Sequence, residues 1–179
     1  MSIEEDVVSR AIKGDGEAFA QLYEEHFDKI YRYVYLRLGG QAEAEDLTQE
    51  VFVKALEAIG SYRWRSLPFA SWLFRIAHNQ VIDYFRKQGK VGKVAWDNDI
   101  TLADESDPSL AVEQKIEVEK VLDWVKKLSP AQCEVISLRF GVGLSVAEVA
   151  KALGKNAGTV KALQYNGIVA LRKMMAGNR

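Results

Sequence analysis

Between residues 62 and 93 the chain sets Tyr62, Trp64, Phe69, Trp72, Phe74, Tyr84 and Phe85 among Arg63, Arg65, Arg75, Arg86, Lys87, Lys90 and Lys93. Cations neutralise phosphates, aromatic faces receive unstacked bases, and an amide such as Asn79 can read a base edge. That combination suits single-stranded or opened DNA. At about 100° per residue on a helix, Trp72, Arg75, Asn79, Asp83 and Arg86 fall within a wedge of roughly 80°, opposite Leu73, Ala77, Val81 and Tyr84. A helical core accounts for most of these aromatic side chains. Trp72, sharing the stripe with Arg75 and Asn79, is expected on the surface.

The same arithmetic divides the preceding helix. Asp46, Gln49, Glu50 and Val53 fall on one side, and Leu47, Val51, Ala55 and Ala58 on the other. An exposed carboxylate face repels DNA phosphates, so it is either a solvated surface or the docking face for a basic protein. Hydrolase or transferase chemistry would need a clustered nucleophile, base or metal set. His26 and His78 stand apart, and Cys133 has no CxxC partner. No enzymatic activity, cofactor or metal is expected. Cys133 reads as a core residue inside an amphipathic helix, His26 as a helix-surface residue, and His78 as a neighbour of Asn79 within reach of DNA.

Helices must position these groups, because apolar residues recur at three and four while strict alternation is nearly absent. The expected fold class is all-α. Asp15 or Gly16 precedes a long amphipathic stretch that stops at Gly39-Gly40. A second helix is predicted from Ala42 to Ile59, then a loop from Gly60 to Ser71 feeding a third helix from about Phe69 to Lys87. Periodicity fails between Lys87 and Val112, where three Gly or Pro residues join Asp97, Asp99, Asp104, Glu105 and Asp107, the pattern of a mobile linker. A helix from about Leu110 to Leu128 follows.

Two capping boxes come next, Ser129-Pro130-Ala131-Gln132 and Ser145-Val146-Ala147-Glu148. In each, the Ser hydroxyl can accept from the backbone N–H three residues on, while the Gln or Glu reaches back. The second opens a short helix ending at Leu153-Gly154, after which Asn156 can cap another from Ala157 to about Met175. A short helix, a tight turn with Gly and a longer helix form either a DNA-binding helix-turn-helix or a plain helical hairpin, and the flanking basic charge favours the first.

Charge is segregated along the 179 residues although the formal total is only -1. Residues 1–60 sum to -7, 61–95 to +6, 96–112 to -5 and 113–179 to +5. Two basic blocks around an acidic strip suggest two polyanion-facing surfaces. With 48% apolar residues and one cysteine, the composition excludes collagen-like, disordered and disulfide-stapled classes. No apolar run approaches the roughly 18 residues needed to span a bilayer, and the start, MSIEEDVVSR, has no signal core. The expected location is cytoplasmic. An ordinary helix-turn-helix regulator, or an interaction protein without DNA contact, explains part of the pattern. Neither explains the acidic face beside the aromatic-basic stripe.

In order along the chain, AEDLTQEVFVKAL, PFASWLFRIAHNQVIDYFRK and LSPAQCEVISLRFGVGLSVAEVAKALGKNAGTVKAL resemble the bacterial extracytoplasmic-function sigma factors, the small group within the σ70 family. The resemblance implies a σ2-like helical domain (1–95), a flexible acidic linker (96–112) and a σ4-like helix-turn-helix domain (113–179). It implies core RNA polymerase as a partner, through its β′ clamp helices and β flap, together with duplex and melted promoter DNA and an anti-sigma factor, without membrane insertion. By motif position, Asp46, Gln49, Glu50 and Val53 would dock on the polymerase. Arg63, Arg65, Trp72, Arg75, His78, Asn79, Asp83, Arg86 and Lys87 would recognise and melt the −10 element, with Asn79 holding a flipped base at a cost of a few kcal/mol in unstacking. The linker would thread toward the RNA exit path. Lys155, Asn156, Thr159, Lys161, Gln164 and Tyr165 would contact the −35 element. The chain departs from the family at Tyr165-Asn166-Gly167, where many members carry His-Arg-Ala. An interior Gly costs a helix about 1 kcal/mol relative to Ala, unless it permits close helix packing.

Overall fold

Side-chain caps mark where most of the helices begin. In the computed structural model, which describes residues 1–65, 67–89 and 119–177, every regular element among those residues is helical. α1 (Ile3–Ile12) opens on a capping box in which Glu5 N donates to Ser2 Oγ at 3.1 Å and Ser2 N to Glu5 Oε2 at 2.7 Å. α2 (Gly16–Leu38) is capped by Asp15, whose Oδ1 accepts from Glu17 N and Ala18 N, and it stops at Gly39, left-handed at φ 85°. α3 (Gln41–Ala58) runs into a 3₁₀ turn at Ile59–Ser61, and α4 spans Phe69–Lys87 after Pro68.

The C-terminal half begins, among the described residues, with α5 at 119–126. α6 (Pro130–Ile136) and α7 (Val146–Leu153) both open on complete capping boxes, at Ser129 with Gln132 and at Ser145 with Glu148. Each such cap contributes about 1 kcal/mol. Gly154, at φ 65°, ends α7, and Asn156 caps α8 (Ala157–Ala176), its Oδ1 accepting from Thr159 N at 2.7 Å. The predicted starts at Asp15, Ser129, Ser145 and Asn156 coincide with these caps, and the one at Phe69 with the first residue of α4, which has no side-chain cap. The acidic linker and the first part of the helix predicted from Leu110 lie outside the described residues.

Two helical domains result, α1 to α4 and α5 to α8, and one apolar cluster runs through both. Tyr33, Phe69, Leu73 and Phe74 are buried in the first, and Val135, Leu138, Val149 and Val160 continue the same cluster in the second. A smaller cluster joins Val125, Leu128, Cys133 and Ile136 to Ile168, Leu171 and Met174. Between α6 and α7 the chain makes a turn of π-helix at Ser137–Gly141, which nothing in the periodicity announces. Arg32 of α2 donates to its last carbonyl, Gly141 O, at 3.3 Å.

α1 is an element that the apolar periodicity does not announce, although Ser2 and Glu5 have the spacing of a capping box. Two expectations need correction. His26 is buried rather than on a surface, its ring 5.3 Å from that of Phe69, and desolvation holds its pKa below the ordinary histidine value. Trp72 is half-buried: its ring lies 5.0 Å from Tyr62 and 5.6 Å from Phe69, at the edge of the core. The stripe on α4 therefore presents its cations and amide more fully than its indole.

Gly167 settles one alternative. It is buried in α8, and a β-carbon there would sit 3.0 Å from Ile136 Cγ1, 3.2 Å from Ile136 Cδ1 and 3.7 Å from Gln132 Cβ. The glycine lets α8 approach α6. Gly167→Val is expected to lower stability by about 1–3 kcal/mol through overpacking, read as a shifted urea midpoint with unchanged slope. An unchanged midpoint would mean that the two helices can separate slightly without loss.

Candidate docking and nucleic-acid interfaces

α3 presents the acidic face that its sequence implies. Leu47, Val51 and Ala55 are buried, whereas Asp46, Gln49, Glu50 and Val53 are exposed, Val53 at 54%. Gln49 is oriented by α2: its Nε2 donates to the Tyr23 hydroxyl at 3.2 Å, and Tyr23 packs edge-on against Phe52 with ring centroids 4.7 Å apart. Beside this face a groove opens between α3 and α4, lined by Glu43, Asp46, Leu47 and Glu50 from one helix and Gln80, Asp83, Tyr84 and Lys87 from the other. Four carboxylates converge there. The sequence alone linked Asp83 to the cationic stripe; the fold places it at the border of the acidic groove, 3.6 Å from Arg86 in an exposed ion pair.

Around the corner, the loop before α4 is held by Tyr62, whose hydroxyl donates to Leu67 O at 2.6 Å and whose pKa burial pushes up to about 12. Arg63 and Arg65 are exposed on this loop, and Asn79, Arg86 and Lys87 are exposed along α4. Arg75 and His78 are engaged already. Arg75 donates to the carbonyl of Lys151 in α7, Ser71 Oγ donates to Glu148 O at 3.1 Å, and His78 Nδ1 lies 2.9 Å from Glu134 Oε1. The other domain thus touches the stripe at Arg75, which stays exposed, and at half-buried His78.

In the C-terminal domain α7 and α8 form the helix-turn-helix pair around Gly154. Lys155, Thr159, Lys161 and Tyr165 are exposed, Tyr165 at 69%. Asn156 devotes its side-chain oxygen to the α8 cap. Gln164 is half-buried and accepts from Arg139 Nε at 2.9 Å, and Arg139 also donates to Leu144 O and covers the Phe140 ring. Both Asn156 and Gln164 are therefore held by the protein; the cap at Asn156 follows from the sequence, whereas the partner of Gln164 does not, because Arg139 lies 25 residues away. Among the described residues no group of His, Cys, Asp or Glu is placed to hold a metal ion, and no helix is long and apolar enough to cross a membrane.

These elements define a class of two-domain helical proteins in which an acidic helix face and a cationic helix precede a helix-turn-helix. The family model for Sigma-70 region 2 matches residues 22–91, and that for Sigma-70, region 4 matches residues 124–173. The chain belongs to the sigma-70 family, within its extracytoplasmic-function (ECF) group. Its relatives include the ECF RNA polymerase sigma factor SigW of Bacillus subtilis, 34% identical over 182 residues covering 94% of each chain. The ECF sigma factor BldN of Streptomyces coelicolor is 39% identical over 175 residues, covering 95% of this chain and 65% of that protein, so the chain spans just under two thirds of that relative's length. The fold is similar to that of CnrH, solved in complex with the cytosolic domain of CnrY (TM-score 0.78, 22% identity, 99% of this chain and 100% of that one). It is also similar to that of RpoE from Bartonella quintana, solved with the anti-sigma factor NepR (TM-score 0.72, 22% identity, 90% and 98%).

Proposed function

We propose that the chain binds core RNA polymerase, directs it to promoters and opens the −10 region to start transcription. One observation carries this reading: the acidic face of α3 meets the last turns of α4 across one groove, with Asp83 and Lys87 on its far wall and Arg86 paired to Asp83 at the edge of the cationic stripe. A carboxylate face suits a basic protein surface, and cations with aromatic support suit separated strands. In this reading Asp46, Gln49, Glu50 and Val53 dock on the β′ clamp helices. Arg63, Arg65, Trp72, Arg75, His78, Asn79, Arg86 and Lys87 take the −10 element, with Asp83 steering Arg86 at the junction. Lys155, Thr159, Lys161 and Tyr165 meet the −35 element, while Asn156 and Gln164 set the pitch and seating of α8. The C-terminal domain is assigned to the β flap, and an anti-sigma factor is the proposed inhibitory partner.

The rival, a helix-turn-helix repressor, binds duplex DNA unaided. A gel-shift assay with promoter fragments separates the two: a shift is expected only with core polymerase present, and an equally tight shift by the chain alone would contradict the proposal.

Within that assay Lys161 has a defined role. It is exposed on the second turn of α8, where a cation meets phosphate. Lys161→Ala is expected to weaken promoter binding at every sequence alike and to reduce the log–log salt slope by about one. An unchanged slope would place Lys161 in solvent.

A further inference from the structure

Glu134 belongs to none of the surfaces above. It is 4% exposed on α6, yet its carboxylate faces the other domain. Arg37 Nε of α2 lies 2.7 Å from Oε2 in an ion pair, His78 Nδ1 of α4 lies 2.9 Å from Oε1, and the Tyr33 hydroxyl donates to Oε1. Arg37 is 3% exposed, with its guanidinium carbon 5.6 Å from the centre of the Phe85 ring. Burial alone would push the Glu134 carboxyl up. The His78 hydrogen bond, the Arg37 charge and the Tyr33 hydroxyl outweigh it and hold the group below the usual carboxylate range.

Such a cluster differs physically from the apolar core around it. Desolvating a carboxylate and a guanidinium offsets much of their mutual attraction, so such a clasp holds only while its further hydrogen bonds are made as well, and a stranded partner is severely unfavourable. Arg37 Nη1 has no hydrogen-bond partner among the described residues, so the cluster is not saturated even when closed. The arrangement therefore depends on all its members at once, since losing one partner leaves another buried and unpaired. It also sits where closure matters: the same seam engages Arg75 with Lys151 O and Ser71 with Glu148 O.

We propose that Glu134 is an interdomain latch, whose carboxylate clasps Arg37, His78 and Tyr33 to hold the C-terminal domain against α4 and keep Arg75 and His78 of its DNA-reading stripe engaged in the unbound chain. The role of that stripe rests on the sigma-factor reading; the latch itself does not. Glu134→Gln keeps the shape of the side chain and strands Arg37.

Small-angle scattering of the full chain, with far-UV circular dichroism, tests this. The wild type is expected to scatter as a closed particle. Glu134→Gln should raise the open-to-closed ratio at least about tenfold, seen as a larger radius of gyration at unchanged helix content. Arg37→Leu combined with Glu134→Leu removes the clasp without stranding a charge and should also be more open than the wild type. Superimposable scattering from wild type and Glu134→Gln would overturn the proposal. So would a double variant as closed as the wild type, since the apolar cluster shared by the two domains and not the clasp would then hold them together. If Glu134→Gln loses helix, Arg37→Met decides by the same reading, and loss of helix in both would make the cluster a folding element and sink the latch. Transcription assays report separately: a chain that opens on Glu134→Gln yet never supports initiation keeps the latch and loses the sigma reading.

Discussion

Replacing Glu50 by Lys is expected to weaken association with core polymerase at least about a hundredfold while leaving the fold intact. Glu50 is exposed on α3 and lines the acidic groove with Glu43, Asp46 and Asp83. Exposed substitutions of this kind change stability by roughly 0.5 kcal/mol or less, and Lys is as good a helix former as Glu. At the interface the sign of the interaction reverses. Like charges placed against each other cost several kcal/mol, and each 1.4 kcal/mol is about tenfold in affinity. Size-exclusion co-elution with core enzyme, beside a circular dichroism spectrum, measures both halves of this expectation. Undiminished co-elution of a folded Glu50→Lys chain would remove the α3 face from the docking surface.

Asn79→Ala should separate recruitment from opening. Asn79 is exposed on α4, one turn beyond Arg75 and one turn before Asp83, on the side turned away from Leu73, Ala77 and Val81 in the core. The role assigned to its amide is recognition of a base that has left the stack, a contact that does not exist while the duplex is closed. Losing a good side-chain-to-base hydrogen-bond pair costs about 1–3 kcal/mol, so opening should fall roughly ten- to a hundredfold. Binding of the closed promoter should stay within about twofold of wild type. Permanganate reactivity of −10 thymines reads the difference, and equal reactivity in wild type and variant would refute the assignment.

Much of this architecture was legible because helix boundaries and faces are local properties. Asp15, Ser129, Ser145 and Asn156 cap where their side chains and spacing say they should, and Gly39 and Gly154 take the left-handed conformations that end helices. On α3 the wheel arithmetic separated buried Leu47, Val51 and Ala55 from exposed Asp46, Gln49, Glu50 and Val53, with Ala58 half-buried at the end of the helix. What it could not give is the second layer covering a face. Tyr33 and Glu134 are 101 positions apart, and neither residue's neighbours hint that a phenol and a carboxylate will meet. Trp72 and His26 were misplaced for the same reason: the Tyr62 and Phe69 rings that pack against Trp72, and the Phe69 ring against His26, come partly from a loop without periodicity. Gly167 looked like a weakness in α8 until Ile136 was placed beside it.

Run-off transcription from genomic promoter fragments, with core RNA polymerase and the purified chain, tests the central claim most directly. The expected result is discrete transcripts that appear only when the chain is added and that disappear with Glu50→Lys. Core enzyme that produces the same transcripts without the chain, or none at all with it, would contradict the account.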